Sequence, residues 1–433
     1  MQRVRTTELA AHVGERVRLS GWLHQARAMG GINFLLLRDG YSIVQAVTED
    51  AAAVAPLAGL LPETVIELEG TVAAEAQARG GFELHDPCLR VVTPVAEALP
   101  FPINKPMVKA APTTFLDHAA VGLRHPAKRA MFRLAAGTMA AFREVLDGDG
   151  FTEIQSPKIG ATATEGGANV FAVDYFGRPA YLAQSPQFYK QIMVGVFERV
   201  YEVGPVFRAE PHDTTRHINE YVSLDAELGF IADHQTVMAL LTRVVRHMVT
   251  RLEARHGAEL GLLGITLPVV PEPIPQVHFR DAQELLLARH GEDCRGEPDL
   301  APQHERRLGE WAREVHGSDF LFVTGYPMVK RPFYTHPDSA NPTYSNSFDL
   351  LFRGMEMVTG GQRLHRYGDY LAALERAGLS PEPFASYLEP MRYGMPPHGG
   401  FAIGLERFLM QLAGLANVRE ATLFPRDLHR LSP

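Results

Sequence analysis

Cysteine is almost absent from this chain of 433 residues. Cys88 and Cys294 are the only two, which excludes a disulfide framework and a cysteine-based metal cluster. Long apolar runs are missing as well, since no stretch approaches the ~18 residues of a membrane span. The N-terminal residues also lack the apolar core of a signal peptide. These absences predict a cytoplasmic protein with no membrane partner.

An excess of positive charge is missing too. The 42 basic residues are outnumbered by 50 acidic ones, for a net charge of −8. This balance argues against sequence-independent binding along nucleic acid, because such binding needs a basic protein surface. It still permits recognition of a few nucleotides by selected side chains. The sequence contains no G-x-x-x-x-G-K-[ST] motif, so a P-loop nucleotide site is excluded.

The first 100 residues are rich in short strand patterns separated by glycine turns. Five segments alternate apolar and polar residues: 16–22, 33–38, 43–48, 65–72 and 82–92. With one helix near residues 50–61, this pattern predicts a five-stranded OB-fold barrel. The segment has more acidic than basic residues, so nucleic acid would have to be bound through base stacking and specific hydrogen bonds.

A proline-containing hinge, residues 101–125, follows the barrel and leads into a second domain, residues 126–433. The second domain opens with helical periodicity over 127–146 and a short strand that ends at Pro157. At its centre, residues 203–227 form two alternating segments around a polar loop, which predicts an antiparallel hairpin. The alternation places Arg208 and Glu210 on one face of the first strand, and Asp225 and Glu227 on one face of the second. Burying an unpaired charge is costly. The charged side of the hairpin therefore either faces water, with its charges in salt bridges, or contacts a charged ligand.

The hairpin resembles motif 2 of the class II aminoacyl-tRNA synthetases. The matching residues are F-R-A-E at 207–210, R-H at 216–217, E-Y at 220–221 and D-A-E at 225–227. The helix and strand ending at Pro157 resemble motif 1, and G-G-F-A-I-G-L-E-R at 399–407 resembles motif 3. Within the class, Q-S-P-Q-F-Y-K at 184–190 is similar to the aspartyl and asparaginyl branch. T-E-G-G at 164–167 is similar to the compact archaeal-type aspartyl enzymes.

The resemblance implies an α+β fold with a mixed, mainly antiparallel catalytic sheet of six or seven strands flanked by helices. It implies a homodimer with Pro157 at its interface. The implied substrates are L-aspartate, ATP with Mg²⁺, tRNA(Asp) and, in relaxed enzymes, tRNA(Asn).

The resemblance also implies the residues of an ATP site, with Arg208 and Arg407 as the catalytic pair. Arg208 would clamp the α-phosphate, and Arg407 would hold the γ-phosphate. Tyr221 would stack on adenine. The remaining implied ATP contacts are Ala209, Glu210, Arg216, His217, Ile218, Glu356, Gly404, Leu405 and Glu406.

Magnesium and aspartate sites follow from the same resemblance. Asp349, Glu356 and Thr359 would hold magnesium, which favours one or two carboxylates together with phosphate oxygens and water. Arg363 would pair with the side-chain carboxylate of aspartate, assisted by Lys190. The other implied aspartate contacts are Glu165, Ser185, Gln187, Phe188, Tyr189, Arg208, Asp225 and Thr359.

In the barrel, the resemblance assigns the tRNA anticodon to five residues. Phe34 would stack on a base, while Gln45 and Glu83 would read base edges. His24 and Arg79 occupy positions that influence the check of the third anticodon base. Histidine at position 24 resembles the residue of relaxed enzymes, which charge both tRNA(Asp) and tRNA(Asn). Relaxed relatives often carry proline at the position of Arg79, so Arg79 departs from their pattern. The alternative from the residues alone is a core Phe34, surface residues at Gln45 and Glu83, and an exposed strand histidine at His24.

Two rival functions stay open at this point. An asparagine-specific ligase shares nearly every motif, although Asp225 and the T-E-G-G segment disfavour it. A catalytically inactive relative that serves as a binding protein would have lost Arg208, Glu356 or Arg407, and all three are present.

Overall fold

The computed structural model describes residues 3–161 and 169–433. The chain divides into two compact units, Met1–Lys128 and Arg129–Pro433. The segment predicted as a hinge groups with the first unit. It contains two short helices, Pro112–Asp117 and Ala119–Gly122.

The first unit is built on a closed five-stranded barrel in the order β1-β2-β3-β5-β4, which confirms the predicted OB-fold. Alternate side chains such as Leu19, Leu37 and Leu68 fill its interior. The first strand runs past its predicted end at Trp22, because its exposed second half pairs with β2 as a hairpin arm. The elements are β1 Arg16–Met29, β2 Ile32–Arg38, β3 Ile43–Thr48, α1 Ala51–Val54, β4 Val65–Ala74, β5 Phe82–Thr93, α2 Pro112–Asp117 and α3 Ala119–Gly122.

The second unit contains an eight-stranded sheet in the order β12-β13-β14-β15-β16-β11-β10-β6, and a separate three-stranded sheet in the order β7-β9-β8. Among the described strands of the large sheet, only β12–β13 and β10–β6 pair in parallel. The strands are β6 Thr152–Glu153, β7 Ile159–Gly160, β8 Ala172–Tyr175, β9 Arg178–Leu182, β10 Arg199–Phe207, β11 Glu220–Gly229, β12 Gln276–His278, β13 Phe320–Thr324, β14 Ser347–Phe352, β15 Met355–Gln362 and β16 His398–Gly404.

The large sheet has eight strands, more than the six or seven predicted for the catalytic sheet. The edge strands β6 and β12 have two and three residues, too few to show the alternation that marks a strand in a sequence. The apolar, proline-rich segment 260–275 also predicts one strand, and this prediction is wrong. The segment begins with the end of a helix, Gly257–Leu263, and continues without regular structure to β12.

Helices cover the large sheet and bury their apolar faces against it. Phe142 of α4 and Leu241 of α6 pack in the same core as Phe401 of β16. None of the described helices is both long and apolar enough to cross a membrane. The helices are α4 Pro126–Gly148, α5 Gln187–Phe197, α6 His234–Arg255, α7 Gly257–Leu263, α8 Phe279–His290, α9 Pro302–His316, α10 Tyr367–Arg376, α11 Ala385–Leu388 and α12 Leu405–Ala413.

Candidate active site and anticodon surface

A cleft opens over β11, β15 and β16. It brings together most of the predicted ATP contacts from segments far apart in the chain. Ala209 and Leu405 do not line it, and Leu405 packs in the core instead. The lining residues are Arg208, Glu210, Arg216, His217, Ile218, Tyr221, Ser223, Glu356, Met357, Thr359, Ala402, Gly404, Glu406, Arg407 and Val418.

The loop of the β10–β11 hairpin holds Arg208 at the cleft. The expected position of Arg208 and Glu210 on the first strand is wrong, because β10 ends at Phe207. Asn219 closes the loop there: its carbonyl accepts from the Arg208 amide at 2.8 Å, and its side-chain amide donates to the Arg208 carbonyl at 2.7 Å. The guanidinium carbon of Arg208 lies 5.7 Å from the centre of the Tyr221 ring.

Three arginines in the cleft lie near carboxylates. The N–O distances are 3.8 Å from Arg208 to Glu210, 3.5 Å from Arg216 to Glu305 and 4.0 Å from Arg407 to Glu356. Three guanidinium groups therefore converge on the cleft, and such a concentration of positive charge suits an anionic ligand.

His217 lies among these charges as a neutral side chain. Burial lowers its pKa, and the charge of Arg407 lowers it further. Its Nδ1 is 2.6 Å from the Thr214 hydroxyl. A neutral imidazole can offer a hydrogen bond to a phosphate oxygen without adding a full charge.

Glu305 of α9 belongs to the site, although the sequence analysis missed it. Its Oε2 accepts from the Glu356 amide at 3.2 Å and lies 3.5 Å from Arg216. Burial raises its pKa, and repulsion from Glu356 adds to the effect. No motif surrounds Glu305, and it lies in a surface-type helix about 50 residues before Glu356, so only the fold shows its role.

Glu406 lines the cleft and also joins two elements of the fold. Its two carboxylate oxygens lie 3.1 and 3.2 Å from the Val222 amide, which donates to them. The carboxylate therefore links α12 to β11. Burial raises the pKa of Glu406 to about 7.

Beside the cleft lies a buried network of two cations and two acids. Lys190 Nζ is 2.9 Å from Asp225 and 3.4 Å from Glu227, and Arg363 Nε is 2.9 Å from Glu227. All four side chains are at most 7% exposed. The fit around Glu227 requires glycine at position 400, because a Cβ there would lie 2.2 Å from its carboxylate.

Lys190 holds the two acids of this network. Its ammonium group donates to Asp225 at 2.9 Å and to the Phe401 carbonyl at 3.3 Å, and it lies 3.4 Å from Glu227. Its assistance to Arg363 stays a prediction. The contacts of Arg363 with Glu227 and the Gly400 carbonyl use Nε and Nη2.

The other residues predicted to contact aspartate differ in how deeply they are buried. Ser185 and Gln187 are buried, and the Ser185 hydroxyl accepts from the Gln187 amide at 3.2 Å. Tyr189 is half-buried. The expectation for the Phe188 side chain is corrected, because its ring stacks on Tyr387 at 4.1 Å within an aromatic cluster. Glu165 lies outside the described residues.

Asp349 and Glu356 lie on neighbouring strands, β14 and β15. Asp349 pairs across the ladder with Thr359, whose hydroxyl donates to Glu356 at 3.1 Å. Burial raises the pKa of Asp349 to about 6, against the effect of Arg331, which donates to it at 3.0 Å. Among residues 3–161 and 169–433, no group of three or more potential ligands is arranged for a metal. Two carboxylates still suit magnesium that arrives with phosphate oxygens and water.

On the barrel, the predicted base-reading residues share one surface. Gln45 and Glu83 pair across β3 and β5, and the Gln45 amide donates to Glu83 at 2.7 Å. Glu83 also lies 2.7 Å from the His85 ring nitrogen. Phe34 is half-buried, and the Arg27 guanidinium lies 5.1 Å from its ring centre.

The alternative of an exposed His24 is wrong. His24 is only 8% exposed, and its Nδ1 has no hydrogen-bond partner in the described part of the chain. Burial lowers its pKa to about 4, and the charge of Arg38 contributes. Arg79, in an exposed turn, lies near enough to lower this pKa as well. Pro157, predicted for the dimer, is exposed between β6 and β7.

Comparison with known proteins agrees with this geometry. Residues 112–428 match the family described as tRNA synthetases class II (D, K and N), and residues 17–92 match an OB-fold nucleic acid binding domain. The proteins named Aspartate--tRNA(Asp/Asn) ligase from Deinococcus radiodurans and Thermus thermophilus are each 48% identical. The alignments cover all of this chain and 99% and 100% of those proteins.

A solved structure agrees with the fold over the full length. The asparaginyl-tRNA synthetase of Pyrococcus horikoshii, complexed with asparaginyl-adenylate, superposes with a TM-score of 0.93 at 32% identity, covering 100% of both chains. The motifs, the cleft and the full-length similarity lead to one assignment: the chain belongs to the class II aminoacyl-tRNA synthetases of the aspartate, lysine and asparagine group.

Proposed function

We propose that this enzyme is an aspartate–tRNA ligase that acts as a cytoplasmic homodimer and charges tRNA(Asp) and tRNA(Asn). The observation that carries the proposal is the arrangement along β11. Tyr221 and Ser223 line the cleft, and Asp225 and Glu227 continue the same strand face into the ion network. Alternate strand residues share a face and lie about 6.5 Å apart. A nucleotide site and a charged amino-acid site are therefore adjacent.

In the first step, the α-carboxylate of aspartate attacks the α-phosphorus of ATP. A P–O bond to that carboxylate forms, the bond to the β-phosphate oxygen breaks, and pyrophosphate leaves with the electron pair. Because the attacking carboxylate is already ionised at neutral pH, the protein needs no general base. What it supplies is alignment and stabilisation of the charge that develops on phosphate oxygens.

The three arginines of the cleft can supply that stabilisation. Arg208, next to Tyr221, is the proposed clamp on the α-phosphate, and Arg216, His217 and Arg407 hold the phosphate end of the nucleotide. Asp349, Glu356 and Thr359 would hold magnesium, which would neutralise phosphate charge when it is bound. Glu305 fixes the backbone of Glu356 and the side chain of Arg216.

Selection of aspartate is assigned to Arg363. Its Nη1 is not used in the contacts with Glu227 and Gly400, and a guanidinium suits a carboxylate. Asp225 and Glu227, held by Lys190, provide negative charge for the substrate ammonium group. An asparagine amide would bring no charge to Arg363, which disfavours the asparagine-specific alternative.

In the second step, the terminal 3′-hydroxyl of tRNA attacks the aspartyl carbonyl carbon, and AMP leaves. The proposed anticodon surface is formed by Phe34, Gln45 and Glu83, with His24 and Arg79 near the third base. Two relatives whose alignments span this entire chain have names that include both tRNA(Asp) and tRNA(Asn), which supports relaxed choice of tRNA.

Charging purified tRNA(Asp) and tRNA(Asn) with radiolabelled aspartate tests this function. We expect both to accept aspartate, and neither to accept asparagine. If tRNA(Asn) accepts none while tRNA(Asp) is fully charged, the enzyme is a strict aspartate–tRNA(Asp) ligase. If neither tRNA accepts aspartate, the proposed function is wrong.

A further inference from the structure

Arg331 pairs with a proposed magnesium ligand. It lies in the connection between β13 and β14, and its Nη2 donates to Asp349 Oδ1 at 3.0 Å. Its guanidinium carbon also lies 4.1 Å from the centre of the Tyr326 ring, a distance typical of cation–π contact. The positive charge of Arg331 thus lies between the Asp349 carboxylate and the Tyr326 ring, and both stabilise it.

The fold holds the backbone of Arg331 in place from both sides. A 3₁₀ turn, Met328–Lys330, precedes it, and the Arg331 amide donates to the Met328 carbonyl at 3.1 Å. After it, Phe333 and Tyr334 pack in the aromatic cluster around Phe188. The position of Arg331 is therefore fixed, while its long side chain can exchange one partner for another.

The guanidinium of Arg331 is not fully satisfied in its present position. Its Nε is buried and has no hydrogen-bond partner among the described residues. An unfilled buried donor is unfavourable, and a phosphate oxygen would be a strong acceptor for it. The pairing with Asp349 supplies charge balance but leaves capacity for an anionic ligand.

We propose that Arg331 is an internal counterion that competes with a divalent cation for Asp349. In the free enzyme, Arg331 neutralises Asp349 and disfavours the uptake of metal alone. When nucleotide is present, its phosphates offer Arg331 a new partner and leave Asp349 available to the metal. This inference rests on the proposed function, because it takes Asp349 and Glu356 as the magnesium ligands.

Binding of Mn²⁺ to the nucleotide-free enzyme, followed by electron paramagnetic resonance, tests the competition. Arg331→Met removes the charge and retains an apolar side chain. We expect this variant to bind Mn²⁺ about tenfold more tightly than the wild type, a typical size for coupling between two ligands. Adding Asp349→Asn to it should abolish the gain.

Lys330→Met is the matched control. It removes one positive charge from the adjacent residue, whose exposed ammonium group lies 3.5 Å from Asp299, and it should leave Mn²⁺ affinity unchanged. Arg331→Lys keeps the charge and should bind Mn²⁺ as weakly as the wild type, which makes it informative even if Arg331→Met folds poorly.

Two results would overturn the inference. One is unchanged Mn²⁺ affinity in folded Arg331→Met, and the other is equal tightening in Arg331→Lys or Lys330→Met. Failure of the proposed function would look different: the wild type would bind no Mn²⁺ even with ATP, or it would not activate aspartate.

Discussion

Arg363 and Glu227 form a buried ion pair in the catalytic sheet, with 2.9 Å between Nε and Oε1. The acid accepts from Nε and thereby orients the guanidinium. Gly400 completes the arrangement by accepting a hydrogen bond from Nη2 at 3.1 Å. Such preorganisation reduces the cost of aligning a charged group during catalysis.

Replacing Arg363 by lysine should impair the use of aspartate severely. Lysine keeps the charge but cannot donate to Glu227, Gly400 and a substrate carboxylate in the geometry of the guanidinium. We expect kcat/KM for aspartate in ATP–pyrophosphate exchange to fall by about 100-fold. Arg366→Lys, at an exposed position three residues later, is the control. Equal loss in both variants, or none in Arg363→Lys, would refute the assignment.

Arg208→Ala should slow adenylate formation by about two orders of magnitude or more, because it removes a preorganised positive charge at the α-phosphate. Single-turnover measurement of aspartyl-adenylate formation reports this step. Arg280→Ala, which removes an exposed arginine paired with its neighbour Asp281, should retain normal rates. Near wild-type adenylate formation by Arg208→Ala would show that the clamp lies elsewhere.

Glu305 should act as a positioning residue. Glu305→Ala leaves the Glu356 amide without its acceptor, a loss worth about 1–3 kcal/mol for a buried group. We expect roughly a tenfold rise in KM for ATP, with KM for aspartate unchanged, and partial rescue by Glu305→Gln. Glu310→Ala on the same helix, with an exposed side chain, is the control. A change in KM for aspartate alone would contradict this role.

The raised pKa of Glu406 predicts a pH-dependent stability. The folded enzyme keeps this proton to about pH 7, whereas the unfolded chain releases it near the ordinary value of 4.5. Because the unfolded state binds fewer protons in this window, stability falls as pH rises from 4.5 to 7.

Glu406→Gln should remove that dependence while keeping an oxygen acceptor for Val222. We expect the variant to gain on the order of 2–3 kcal/mol relative to the wild type between pH 4.5 and 8, measured by urea unfolding. Parallel stability curves for the two proteins would show that the carboxyl group titrates normally.

Much of the fold could be predicted because its patterns are local. Alternation located all five barrel strands, and helical spacing over 127–146 located α4. The short edge strands β6 and β12 carry no such pattern, so the size of the catalytic sheet could not be predicted.

The predicted site residues were brought together, but their partners were not foreseen. The pairing of Lys190 with Asp225 and Glu227 spans more than 30 residues of sequence, and that of Arg331 with Asp349 depends on a loop with no periodicity. The charged face of β11 signalled a ligand or a salt-bridge network, and the structure contains the network beside the cleft. Phe188 and His24 are both buried in the fold, and burial determines which groups they contact. The identity of one residue in a sequence does not show whether that residue is buried.

ATP–pyrophosphate exchange without tRNA tests the central claim most directly. The wild-type enzyme should exchange label between pyrophosphate and ATP when L-aspartate is present, and only weakly with L-asparagine at the same concentration. Exchange that depends on asparagine, with none supported by aspartate, would contradict the assignment of this site to aspartate.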